Sequence, residues 1–210
     1  MNFILCTSFF IVSAIVFLGL QHSRKERDKI EHEYWEKEYR ANSTRKKSLD
    51  NLEYITIPEE ILRMHPKQFD EDINGYLLDL QDLSEYKIVN LTGISNTDLK
   101  LEYGTANITI LSDYDFHYTN MVTILQKLAE KLYENKEYEL AKIVLEFAVA
   151  THTDVSKSYY MLADIYNILG YKEKIAELIN NAQLINSIMQ QSIVQNLRKY
   201  EQQTVIESYQ

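Results

Sequence analysis

The sequence predicts an all-α protein: an N-terminal transmembrane helix and a charged stalk, then a solenoid of helical hairpins closed by a C-terminal capping helix. Three observations carry this expectation. Leu128-Ala129-x-x-Leu132 recurs as Leu162-Ala163-x-x-Tyr166, and Ala141, Leu145 and Ala148 recur at the same spacing as Ile175, Ile179 and Ala182. A self-similarity with a period of about 34 residues marks stacked helix hairpins, each burying its apolar side against the next. Only two prolines and five glycines in 210 residues leave few places to break a helix, and segments rich in Leu, Ile, Lys, Glu and Ala favour one. Finally, the stretch from Phe3 to Leu20 carries no charge.

That stretch defines the first element, an anchor over residues 1–21. Its 18 residues span about 27 Å as a helix, and Met1 and Gln21 extend it to the ~30 Å of a bilayer's hydrocarbon. A cleaved signal peptide is the competing reading. It asks for a basic start, a shorter apolar run and a small-x-small cleavage site, whereas Phe17-Leu18-Gly19 puts a bulky ring where a small residue belongs. Basic residues follow the span and none precedes it, which directs the chain N-out and C-in, a single-pass protein of the cell membrane with a cytoplasmic C-terminal domain. The lone Cys6 lies in the span, so no intrachain disulfide or Cys-based metal cage is available; it reads as a small apolar residue rather than an acylation site. Three Asn-x-Ser/Thr triplets, at Asn42, Asn90 and Asn107, are chance matches in a cytoplasmic domain.

Residues 22–47 form the stalk. Glu33 with Lys37 and Glu36 with Arg40 have the favourable i,i+4 order, and sustained heptads are missing, which argues against a long coiled coil. Among Tyr34, Trp35 and Tyr39, Trp35 stands about 22 Å beyond Leu20 along a straight helix, so the stalk projects or packs on the protein unless it lies flat on the membrane. Residues 48–120 are an atypical segment. Leu52 to Ile57 reads as extended before Pro58, Pro58-Glu59-Glu60 as a short helix start, and Ile73, Leu77 and Leu80 as a stripe on a helix between about 68 and 86. Ser95-Asn96-Thr97-Asp98 supplies N-cap chemistry for a helix carrying Leu99, Tyr103, Ala106 and Ile110. These two helices are expected to pair as a degenerate first hairpin.

The repeats occupy residues 121–186. With Val122 and Ser156 as first positions, the copies align without insertion, and turn residues separate the two helices of each at Asn135 to Tyr138 and Gly170 to Lys172. This pattern resembles the tetratricopeptide repeat over about residues 122–188. The departures are Thr153 where that repeat has proline and Ile175 where it has alanine. Two copies alone would leave open apolar ends. Residues 187–210 are therefore expected to form a lid, with Ile185, Ile188, Met189, Ile193, Leu197 and Tyr200 in one stripe on a helix running to about Ile206. The stretch Asn90 to Asn107, together with the span, stalk and paired repeats, is similar to a family of small uncharacterised membrane-anchored bacterial proteins, a resemblance that implies architecture and setting but no activity.

Charge narrows the function. From His22 to Ser48 the net charge is +3, which leaves −12 for the rest of a chain whose total is −9. An acidic domain is repelled by phosphates, so no nucleic acid is expected as a partner. No phosphate loop, Gly-x-Ser-x-Gly or zinc-type histidine spacing occurs, so the chain reads as no enzyme, with no cofactor, no metal and no small-molecule substrate. The best metal-like cluster, Asp113-x-Asp115-x-His117, is expected on an extended loop before a helix at Tyr118 to Glu134, where such residues are ordinary caps. The tetratricopeptide resemblance implies a concave groove lined by Gln126, Glu130, Tyr133 and Glu134 in the first copy and Lys157, Tyr160, Asp164 and Asn167 in the second. Glu130 and Asp164 share one repeat position, and with Tyr133 and Tyr160 they suit a basic or amphipathic peptide. The expected function is a membrane-tethered scaffold or adaptor for a protein partner. The alternatives are a structural subunit of a membrane complex, in which span and stalk make the contacts, and a metal-dependent enzyme at Asp113, Asp115 and His117.

Overall fold

The computed structural model describes the backbone of residues 2–67 and 70–208 and the side chains of residues 13, 15–67 and 70–201. Its helices are α1 (Asn2–Asn42), α2 (Glu59–Leu62), α3 (Glu71–Leu83), α4 (Asn96–Tyr103), α5 (Ile108–Glu134), α6 (Tyr138–Ala150), α7 (Ser156–Leu169), α8 (Lys174–Gln183) and α9 (Gln190–Ser208). Among the described residues there is no strand, only an isolated antiparallel bridge between Tyr54 and Val89. The protein is all-α. It divides into two compact units, residues 1–48 with 95–108, and residues 49–94 with 109–210.

In the first unit α1 runs without proline to Asn42, where the Ser43 and Thr44 hydroxyls turn back to donate to the carbonyls of Tyr39 and Arg40 at 2.8 and 2.9 Å. These bonds satisfy acceptors that the helix end leaves open. The expected membrane span falls mainly on residues whose side chains lie outside the described set, and among the described residues no helix is long and apolar enough to cross a membrane. The end of α1 is gripped by α4. Lys37 pairs with Asp98 at 2.6 Å, Thr97 donates to Glu38 at 2.6 Å, and Lys100 reaches both Glu38 and the Asn42 amide oxygen. The hydrogen bonds from Lys100 and then Thr97 hold the Glu38 carboxyl below its ordinary value.

The Ser95 hydroxyl caps α4 through the Asp98 N–H at 3.1 Å, as expected. The helix then stops at Tyr103, and Ile110 belongs to α5. Gly104 explains the break: its φ is +88°, and a Cβ there would sit 2.2 Å from the Arg45 carbonyl. Asn107, fully buried, donates to the Lys47 and Tyr103 carbonyls at 2.8 and 2.7 Å and secures the short turn that follows. The expected pairing of the two helices of residues 48–120 is also corrected, because α4 packs on α1 while α3 packs with α2.

The second unit holds the solenoid-like helices. Asp70 caps α3 by accepting from the Asp72 and Ile73 N–H groups, and Ile73, Leu80 and Leu83 turn inward. The segment expected to be extended over residues 52–57 begins with a tight turn, the Tyr54 N–H bonding the Leu52 carbonyl at 3.0 Å, and then pairs with the chain near residue 88, the Ile55 N–H bonding the Ile88 carbonyl at 2.9 Å. The repeat positions behave alike in both hairpins. Leu125 and Tyr159, Leu128 and Leu162, Ala129 and Ala163, Leu132 and Tyr166 are buried on α5 and α7, as are Ala141 and Ile175, Leu145 and Ile179, Ala148 and Ala182 on α6 and α8. All belong to one continuous core, and the alanines let backbones approach closely.

The turns repeat as well. The Glu137 N–H bonds the Leu132 carbonyl at 2.8 Å and the Lys136 N–H that of Tyr133; one repeat later Tyr171 bonds Tyr166 at 2.8 Å and Gly170 bonds Asn167. Each is a Schellman closure whose pivot is left-handed, with φ +61° at Lys136 and +81° at Gly170. After α8 the chain turns at residues 184–189. Gly93, with φ +80°, admits this turn, since a Cβ there would lie 2.0 Å from the Asn186 carbonyl. The capping helix is shorter than predicted: Ile188 is 96% exposed and Met189 39%, outside the stripe that Ile185, Ile193 and Leu197 bury. Met189 sits where Ser187 caps the chain before α9, and the turn rotates both side chains away from α7 and α8, on which α9 packs.

Lys136→Gly removes a left-handed side-chain penalty and is expected to stabilise the second unit by about 0.5–1 kcal/mol in denaturant unfolding, while Gly170→Ala costs about as much. Ending the chain before Ser187 uncovers the sites of Ile193 and Leu197, each worth about 1.5–3 kcal/mol of burial, and is expected to give an insoluble product by sedimentation.

Candidate functional site

The side chains expected to line a groove project from α5 and α7, the first helices of the two hairpins. The bonds between these helices build the site. The Ser158 hydroxyl, buried on α7, donates to the Gln126 side-chain oxygen at 2.6 Å, and the Gln126 amide donates to Glu130 at 2.7 Å. The second Glu130 oxygen pairs with Lys157 at 2.8 Å. Burial opposes the charge on Glu130, but the hydrogen bonds from Lys157 and Gln126 outweigh it and hold the carboxyl below its ordinary range. Gln126, Glu130 and Lys157 therefore join α5 to α7.

The second copy reaches α9 from the same repeat positions. Tyr160, the counterpart of Gln126 in the second repeat, accepts from the Asn196 amide at 2.9 Å. Asp164, the counterpart of Glu130, accepts from the Tyr200 hydroxyl; burial raises its carboxyl above the ordinary range, and the bond from Tyr200 only partly offsets this. Tyr133 stands against Tyr138, ring centres 5.3 Å apart and nearly perpendicular. It also feels the charge of Asp164, and it is burial, then that charge, that pushes its hydroxyl upward. Glu134 is exposed, 3.8 Å from Lys131, and Asn167 is half-buried one turn beyond Asp164. Gln126, Glu130 and Lys157 thus form a closed polar network, while Asp164 stands among Tyr133, Tyr160 and Tyr200.

Sequence reasoning reads α9 as a lid and misses that it stands in phase with the hairpins. Ile193, Leu197 and Tyr200 follow Tyr159, Ala163 and Tyr166 by one full repeat period, and Ile193 and Leu197 are fully buried. The signal was present, but polar Asn196 at the position of Leu162 masks it. Its contact with α7 differs in register: Tyr160 meets Asn196, one helical turn beyond the position that matches Ser158, the residue Gln126 meets on α7.

The Asp113, Asp115 and His117 cluster lies within α5, not on an extended loop. Asp115 accepts from the Leu91 N–H at 3.1 Å, and His117 Nδ1 meets the Lys87 carbonyl at 3.0 Å, so that nitrogen carries the proton. Residues two apart on a helix face different sides. Among the described residues no three His, Cys, Asp or Glu side chains gather as a metal would need. Comparison with protein-family models, with curated proteins and with solved structures finds no match.

Because the folded Glu130 carboxyl lies below its unfolded value, its contribution to stability is full above the unfolded carboxyl range and lost as pH falls through the folded value. In Lys157→Met, burial acts on Glu130 unopposed by that cation. Its carboxyl is expected to titrate higher by side-chain NMR, and acid unfolding to begin at higher pH.

Proposed function

We propose that this protein is a membrane-tethered scaffold: a single-pass anchor carrying a tetratricopeptide-like helical domain that holds a protein partner, with no catalytic step. The observation that carries this reading is the recurrence at the repeat period of the buried positions of α5 and α6 in α7 and α8. Repeats stacked in that way generate an extended wall rather than a closed pocket. A tetratricopeptide-like wall lined by α5 and α7 would present Tyr133, Glu134, Lys157, Tyr160, Asp164 and Asn167 to a basic or amphipathic peptide.

Tethering draws support from α1. Ile15, Val16, Phe17, Leu18 and Leu20 are each more than half exposed. Consecutive residues of a helix look in every direction, and a helix apolar all round asks for an apolar medium. The basic residues that follow favour a cytoplasmic location for the repeats. A second reading, a structural subunit gripped through its stalk, is favoured by one observation: Trp35 and Tyr39 stand 59% and 76% exposed on α1.

Crosslinking of the full chain in native membranes separates the two. On the scaffold reading the protein resists alkaline extraction, Tyr160→Ala with Asp164→Asn abolishes partner capture, and Trp35→Ala with Tyr39→Ala leaves it intact. The opposite pattern establishes the subunit reading. Extraction of the protein by alkali would end the proposal of an anchor.

A further inference from the structure

We infer that Arg24, Lys25 and Arg27 form a seat for anionic phospholipid headgroups where α1 leaves the bilayer, an inference that rests on the anchor reading and names the lipid the anchor selects. α1 is one helix from Asn2 to Asn42, so the uncharged residues 3–20 and the basic residues that follow them share an axis. At about 1.5 Å per residue, Arg24 lies about 6 Å and Lys25 about 7.5 Å past Leu20. A headgroup layer extends about 5–8 Å beyond the hydrocarbon, so both stand within it. Arg27 is about 10.5 Å past Leu20. It reaches the same layer because side chains on a helix lean towards its N-terminus, here the membrane side.

The three side chains are exposed, and among the described residues none of them has an ion-pair partner. Their charged neighbours are engaged with each other: Glu26 stands 3.9 Å from His22 and Lys29 stands 3.7 Å from Glu33. Between residues 24 and 29 four cations, Lys29 included, outnumber two acids, Glu26 and Asp28. At about 100° per residue, Arg27, Arg24 and Lys25 spread over nearly half the circumference of the helix, so they can meet more than one headgroup at once. A cation at an anionic surface is stabilised, and the effect fades within a Debye length. Arg40, Arg45 and Lys46 are exposed as well. Arg40, however, lies about 30 Å past Leu20, several Debye lengths away at physiological salt, and Arg45 and Lys46 follow the end of α1. Depth thus separates the cations that meet lipid from those that meet water.

The test places the full chain in phosphatidylcholine vesicles that hold equal traces of phosphatidylglycerol and phosphatidylcholine, each with a photoactivatable diazirine on an acyl chain. After illumination, mass spectrometry counts the adducts of each lipid on the protein. An excess of phosphatidylglycerol adducts of about fivefold is expected at low salt, falling towards unity at ~1 M sodium chloride. Arg24→Gln with Lys25→Gln and Arg27→Gln is expected to abolish the excess. Arg40→Gln with Arg45→Gln and Lys46→Gln removes the same charge from beyond the headgroup layer and is expected to preserve it. Equal adducts of the two lipids on the unaltered chain, or the same response from both triple variants, overturns the inference while the anchor stands. A chain that gains adducts of neither lipid loses the anchor and this inference together.

Discussion

A stack of hairpins has no centre, so each helix pair can bury only what its neighbour covers. Within the second unit α7 packs on α6 and α9 packs on α8 and α7, and hydrogen bonds tie α5 to α7 and α7 to α9. Ala129, Ala163, Tyr159 and Tyr166 are buried in the shared core, and the Tyr166 hydroxyl reaches Glu146 on α6 at 2.9 Å. The polar contacts are Gln126 with Ser158 between α5 and α7 and Tyr160 with Asn196 between α7 and α9. Such bonds add only about 1 kcal/mol each, but leaving a buried partner unmatched costs more. They therefore select the register in which the apolar seams meet.

The same economy shows at the turns. Both hairpins close with the same pair of backbone bonds, although one pivots on Lys136 and the other on Gly170. A lysine accepts the left-handed conformation because the fold around it is already determined by Leu132 and Ala141, both fully buried. In the first unit the reverse holds. Gly104 leaves no room for a side chain, and the charged clamp of Lys37, Glu38, Asp98 and Lys100 fixes α4 on α1.

The candidate site changes character when its residues are seen as contacts. Glu130 and Asp164 look alike in the sequence, but a residue on the following helix decides what each does. Lys157 neutralises the first acid and makes it a fastener. The Tyr200 hydroxyl on α9 bonds the second, whose carboxyl burial raises. Function at a repeat wall thus comes from departures from the repeat as much as from the repeat itself.

The helical class, the repeat phase and the inward positions of α5 to α8 were legible in the chain alone, because apolar periodicity is a local record of which side of a helix meets its neighbour. The N-cap at Ser95 was legible for a similar reason, since a capping side chain acts on backbone two or three residues away. Folding in three dimensions was needed to assign α4 to α1, to take Ile188 and Met189 out of the stripe, to place Asp113, Asp115 and His117 within α5, and to set α9 against α7 and α8. Each of these turns on a contact between residues far apart in the chain, such as Gly104 with Arg45 or Gly93 with Asn186, and no local pattern encodes the partner of a distant residue.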